Sequence, residues 1–225
     1  MKYIIFSDVH GNDIALRKLL EEEKPGSDKK FIFCGDVCGY YYGEKECVRL
    51  LESIGDLTAV RGNHDQYYID AYDDTETTEK LIKKYGSSYK CKDDSVLEYV
   101  QRLPLRAEIT IGGRLFSVVH GTPEDPLEGR IYPDSGIDRK EKGFACISGH
   151  THYAMLRREG DILWINPGSL GQPRDGKGFS YCSIDDVTME IAFRHFEIDT
   201  KPIIEVARKN DPENKYLEEI FYRRS

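Results

Sequence analysis

Short apolar runs alternate with stretches of helical spacing along the first third of this chain. Residues 2–7 form a strand-length apolar run, after which Asn12 or Asp13 can cap a helix reaching about Glu23. Ile14, Leu16, Leu19 and Leu20 keep helical intervals there, and Pro25-Gly26 stops the helix. Residues 30–34 read as the next strand and 44–54 as a helix with Cys47, Val48, Leu50, Leu51 and Ile54 inward; 57–61 supply a third strand. Strands that alternate with helices predict right-handed βαβ units and a largely parallel sheet.

The pattern changes at Gln66. Acidic, tyrosine-rich sequence leads into helices predicted near 78–85 and 95–103, closed by Gly86 and Pro104. This region, about 66–104, reads as a helical insert leaning over a site; a plain helical layer packed on the sheet fits the pattern equally well. After Leu105 the chain turns β-rich. Runs at 108–111 and 114–119 flank the hairpin dipeptide Gly112-Gly113, and further strands are predicted at 144–148, 162–165, 179–184 and 188–196. A helical tail is predicted from Pro212 to the end. The whole, 1–225, is expected to be a single domain with two β-layers and helices outside them.

With 225 residues the chain can fill one α/β core. A net charge of −8 argues against a nucleic-acid backbone as main partner, because counterion release needs a basic footprint. Bound metal could still draw phosphate to an acidic protein. The apolar start is too short for a signal-peptide core, and no apolar stretch has the length of a membrane span. Cys34, Cys146 and Cys182 lie inside strand-like runs, and the six cysteines lack disulfide-scaffold density. A cytoplasmic protein with reduced thiols is expected; oligomeric state is not legible.

Chemistry is concentrated in the histidines. Five of the six fall in Asp8-Val9-His10, Gly62-Asn63-His64-Asp65, Val119-His120-Gly121 and Gly149-His150-Thr151-His152, with Gly35-Asp36 between the first two motifs. Each motif follows a strand-like run, so the ligand candidates are expected at one edge of one sheet. A lone Asp-x-His or His-Gly says little, since histidine is often only a satisfied polar residue. The full ordered set points to a metal-dependent hydrolase. A structural zinc site fits poorly, because such sites are closed and cysteine-rich.

These motifs, together with Gly35-Asp36-Val37-Cys38-Gly39 and the segment from Asn166 to Arg174, resemble the calcineurin-like metallophosphoesterase superfamily over residues 3 to about 176. The resemblance is to its compact bacterial and archaeal branch of phosphodiesterases, small phosphatases and diadenosine-tetraphosphatase-like enzymes. It implies an α/β fold, a four-layer α/β/β/α sandwich of two mixed β-sheets. It implies one metal held by Asp8, His10, Asp36 and His152, and a second held by Asp36, Asn63, His120 and His150, with Asp36 bridging. Imidazoles, carboxylates and an amide oxygen suit two divalent transition-metal ions, manganese first, with iron, zinc, cobalt or nickel as alternatives.

The activity implied is hydrolysis of small phosphomonoesters or phosphodiesters by in-line attack of metal-bound hydroxide. His64 is the implied general acid, with Asp65 as its orienting partner. Asn63 and His64 would touch substrate, and Arg61 or Arg174 could clamp phosphate. Tyr40, Tyr41 and Tyr42 could stack on an aromatic leaving group, while Asn166, Gly168 and Ser169 would shape the loop near the metals. His195 lies outside every motif and is assigned no role. A dinucleoside polyphosphate hydrolase is the alternative suggested by the closing segment. A serine/threonine protein phosphatase is less favoured, since Asp65 and Cys38 depart from the Gly-Asn-His-Glu and Gly-Asp-x-Val-Asp-Arg-Gly of that group. A non-catalytic scaffold would be expected to have lost ligands or the proton donor, and all are present.

Overall fold

A computed structural model describes residues 1–137 and 143–222. The first sheet has the order β10-β9-β1-β2-β3, from β1 (Lys2–Phe6), β2 (Lys29–Phe33), β3 (Leu57–Ala59), β9 (Phe179–Asp185) and β10 (Ile191–Phe196). β1, β2 and β3 run parallel as the βαβ pattern requires, whereas β9 and β10 return antiparallel beside β1. The second sheet has the order β4-β5-β6-β8-β7, from β4 (Arg106–Ile111), β5 (Arg114–Val119), β6 (Ala145–Ile147), β7 (Ala154–Glu159) and β8 (Ile162–Pro167). β5, β6 and β8 are parallel, and β4 and β7 flank them antiparallel. The two mixed sheets of the expected sandwich are therefore present.

Alternation along each strand decides what it packs against. Tyr3, Ile5, Ile32 and Cys34 face the second sheet and meet Phe116, Val118, Ile147, Leu163 and Ile165. Their neighbours Ile4, Phe6, Phe31 and Phe33 face outward onto helices α1 (Asp13–Glu23) and α2 (Glu44–Glu52), through Leu16, Leu19, Val48 and Leu51. Asn12 caps α1 by accepting from Ala15 N at 3.0 Å, and its amide reaches Leu170 O across the molecule. On the outer face of the second sheet, Cys146, Met155 and Trp164 are covered by Ile131, Ile137 and Phe144. Among the described residues that cover is irregular chain.

Three elements depart from the sequence reading. Helix α3 (Asn63–Ala71) begins inside the Gly-Asn-His-Asp motif, three residues before the expected insert. β7 was not predicted; it is an edge strand rich in arginine, and its pairing with β8 rather than apolar alternation makes it a strand. Helix α6 (Lys201–Asn210) precedes the expected tail, which contains α7 (Tyr216–Glu219) and a turn of 3-10 helix at Ile220–Tyr222; its last three residues lie outside the described ones. Helices α4 (Thr75–Tyr85) and α5 (Asp94–Arg102) stand close to where they were expected. Val96, Tyr99 and Val100 of α5 join the outer core of the first sheet. The six cysteines are free, and only Cys91 is exposed. No helix among the described residues is long and apolar enough to cross a membrane.

Candidate metal centre

The histidine motifs converge, but from two sheets rather than one edge. Asp8 and His10 follow β1, Asp36 follows β2, and Asn63 and His64 open α3 after β3. His120 follows β5, and His150 and His152 follow β6, both strands of the second sheet. Pattern alone could not divide the strands, because sheet membership is set by long-range pairing. Asp8, His10, Asp36, Tyr40, His150 and His152 all have left-handed backbone, with φ between 50° and 66°. Such a conformation costs a non-glycine residue about 1 kcal/mol or more. Here it turns successive side chains toward one point, and backbone bonds lock it: His10 N donates to Asp36 O at 3.0 Å and Gly171 N to Asp8 O at 2.7 Å. Ser169 Oγ also donates to Asp8 O, and Asn166 holds Gly149 O and Thr151 Oγ1, so the closing loop braces the nest as expected. Gly62 is required at its place because a Cβ there would lie 2.0 Å from Asp36 Oδ1.

Three imidazoles are fixed in one tautomer. The Nδ1 groups of His10, His120 and His152 lie 2.9, 2.7 and 2.8 Å from the carbonyl oxygens of Cys38, Cys34 and Gln172. A carbonyl only accepts, so each Nδ1 carries a proton and each ring turns its Nε2 inward. There, His10 Nε2 lies 3.2 Å from His152 Nε2, and His120 Nε2 lies 2.9 Å from Asn63 Oδ1 and 3.2 Å from Asp36 Oδ2. Asp8 Oδ1 is 3.3 Å from His152 Nε2 and 3.9 Å from His10 Nε2. Donor and acceptor atoms at these distances repel unless a proton or a metal ion lies between them. Metal bonds of ~2.1 Å put neighbouring ligand atoms about 3.0–3.4 Å apart. Asp36 Oδ2 and His150 Nε2 are buried without a hydrogen-bond partner. The groups Asp8, His10, His152 and Asp8, Asp36, His120 are each compact enough to hold an ion.

The electrostatics agree. Burial pushes His10 down to about 4, and burial with neighbouring His120 pushes His150 down to about 3, so both stay neutral and able to ligate. Burial also opposes a charge on His120, but the Asp36 carboxylate overrides it and raises that ring to about 10. The field that retains a proton on His120 Nε2 would retain a divalent cation in its place. Asp8, despite burial, is drawn down to about 2 by His152.

A family model, the calcineurin-like phosphoesterase superfamily domain, matches residues 1–188. The chain belongs to the calcineurin-like phosphoesterase superfamily. It is 31% identical to an uncharacterized protein of Methanocaldococcus jannaschii, over 92% of this chain and 91% of that one. It is 23% identical to phosphodiesterase YfcE of Escherichia coli, over 85% of this chain and 91% of that protein. The structure superposes on a metallophosphoesterase from Sphaerobacter thermophilus with a TM-score of 0.77 and 25% identity, covering 98% of each chain. As a member of this superfamily the protein is a metal-dependent phosphoester hydrolase.

Around the phosphoesterase nest, some expectations change. Asp65 does not orient His64. Its two carboxylate oxygens accept the backbone N–H groups of Gly62, Asp36, Val37 and Cys38 at 2.8–3.1 Å, which binds the start of α3 to the Asp36 loop. Burial and nearby Asp36 still push Asp65 up to about 6. His64 Nδ1 instead meets the Tyr89 hydroxyl at 2.6 Å, a partner with no motif to announce it. Arg61 is turned away. Its guanidinium is spent on Val100 O, Gln101 O and Gln66 Oε1, securing the C-terminal end of α5. Arg174 stays near the nest, hydrogen-bonded to Tyr216 and within electrostatic reach of Tyr40 and Asp8. Of the three consecutive tyrosines only Tyr40 faces the site, edge-on to His10 at 4.8 Å; Tyr41 bonds to Leu217 O and Tyr42 to Asp211. Tyr67 and Tyr85 also pack on His64, so the helical segment after β3 both covers the sheet and walls the site.

Proposed function

We propose that this phosphoesterase is a dinuclear enzyme hydrolysing small phosphodiesters and phosphomonoesters. One observation carries the reading: imidazole Nε2 atoms and carboxylate oxygens converge on one buried point, where Asp36 Oδ2 and His150 Nε2 have no hydrogen-bond partner. Asp8, His10, Asp36 and His152 would hold one ion, and Asp36, Asn63, His120 and His150 the other. Manganese is the first choice for this mixed oxygen and imidazole set. When bound, such ions supply Lewis acidity to a phosphoryl oxygen and lower the pKa of water.

The chain's own residues do the rest. Backbone-locked imidazoles keep the ligands in place, so little reorganisation accompanies binding of substrate. His64, buried at the edge of the nest, protonates the leaving oxygen. Asn63, beside His120, contacts the bound phosphoester, and Arg174 offers a positive charge to a phosphate oxygen. The name of the E. coli relative supports diesters among the substrates. Six free thiols suit a reducing compartment such as the cytoplasm.

Protein reconstituted with manganese, iron, zinc, cobalt or nickel should release p-nitrophenol from bis(p-nitrophenyl) phosphate and carry two ions per chain by elemental analysis. Inactivity with all five metals would point to a scaffold instead. His64→Ala should lower kcat ~10²–10⁴-fold with metal content unchanged.

A further inference from the structure

We infer that Tyr89 is the residue that positions His64 for proton transfer, an inference that rests on the proton-donor reading of His64. The two side chains meet at 2.6 Å between Nδ1 and the hydroxyl, and they are only 5% and 2% exposed. With Nδ1 tied to Tyr89, Nε2 is left as the nitrogen able to reach a substrate oxygen. The ring is also boxed by Tyr40 at 4.8 Å, Tyr85 at 4.5 Å and His10 at 4.9 Å.

A phenol suits this task in a way a carboxylate would not. Its oxygen accepts from Nδ1–H, which fixes the ring with Nε2 free for the substrate. In the imidazolium, Nδ1–H donates to the phenol oxygen. As the attacking water oxygen bonds to phosphorus and the P–O bond to the leaving group breaks, the Nε2 proton passes to the leaving oxygen, the nitrogen keeps its lone pair, and Nδ1–H still donates to the same phenol. The proton shed by the attacking water restores Nε2–H afterwards through solvent. A carboxylate in its place would add a further negative charge near Asp36.

The surroundings hold Tyr89 itself. It rides on a 3-10 turn, Ser87–Lys90, whose Ser87 N and Oγ donate to the Asp211 carboxylate at 2.6–3.0 Å. Asp211 follows α6 and also accepts from Tyr42, so the end of the chain braces the turn. Gly39 forms the facing wall. A Cβ there would lie 2.5 Å from His64 Nδ1 and 2.9 Å from the Tyr89 oxygen, so no larger residue fits without separating the pair.

The test compares methyl p-nitrophenyl phosphate, with a good leaving group, and methyl phenyl phosphate, with a poor one. Proton donation matters more as the leaving group worsens. Tyr89→Phe should lower kcat on the phenyl ester on the order of 10-fold or more, and on the p-nitrophenyl ester several times less. KM and metal content should stay at wild-type values. Equal losses on both esters, or none, would overturn the inference. His64→Asn measured alongside separates the two readings. A flat response of that variant to leaving group removes the proton-donor role, and the inference about Tyr89 with it. A steep response there with wild-type behaviour of Tyr89→Phe removes the inference alone. Should Tyr89→Phe fold poorly, Gly39→Ala should reproduce the graded loss, and an ungraded loss there would also count against Tyr89.

Discussion

The ligand nest and the wall around His64 lie side by side and are held by different means. In the nest, His10, His120 and His152 are locked by carbonyls of the backbone, on tight loops whose residues accept left-handed conformations. In the wall, the His64 ring is held by side chains: the Tyr89 hydroxyl and the rings of His10, Tyr40, Tyr67 and Tyr85. Backbone anchors persist whatever residue supplies the carbonyl, so the nest depends on few identities beyond the ligands. Side-chain anchors depend on each identity, so the wall is where substitution should tune the reaction without dismantling the metal site.

The largest effect should come from breaking the nest. Asp36→Asn puts an amide where Oδ2 faces His120 and His10, at 3.2 and 3.7 Å. Activity on bis(p-nitrophenyl) phosphate should fall on the order of 10³-fold, with bound metal reduced by elemental analysis. Retention of both metal and turnover would show that Asp36 does not bridge.

An intermediate effect is expected at the seam between the two regions. Asp65→Asn gives an NH2 group to face backbone N–H donors that now share a carboxylate, leaving at least two of them unpaired in the interior. The protein should lose about 3 kcal/mol in urea unfolding. Unchanged stability would mean that the clamp contributes little.

The smallest effect lies behind the wall. Glu44 is buried, with Oε1 unpartnered and its carboxyl bonded to Gly39 N–H, and burial pushes it up to about 8. A carboxyl whose pKa is raised by folding favours the folded state below its unfolded pKa, and that stability is lost as pH rises through the folded value. Wild-type Tm should therefore decline between about pH 4.5 and 8 relative to Glu44→Gln, by on the order of 5 °C. Parallel Tm profiles for the two proteins would refute the assignment.

Much of the nest was legible because motif, strand end and ligand coincide along the chain. Asp8, His10, Asp36, Asn63, His120, His150 and His152 are each adjacent to a run that must be a strand, and the structure brings their side chains to one point. The wall was far less legible. Tyr89 sits between two helices in a tyrosine-rich stretch with nothing local to distinguish it from Tyr85 or Tyr99. Its role arises only when the turn at 87–90 docks against Gly39. Arg61 and Asp65 misled for the same reason: each lies within three residues of His64, yet backbone groups of other segments claim their side chains.

By itself the sequence determined the βαβ opening, the chemical types at the strand ends and the family. Apolar periodicity and glycine placement are local properties, which short-range sterics and burial impose on any chain with that pattern. The tertiary structure decided that the candidate ligands come from two sheets, that Asp65 serves the backbone, and that a tyrosine meets His64. Those outcomes depend on which distant segments pair and which buried polar atoms must find partners, and such pairings exist only once the chain has closed on itself.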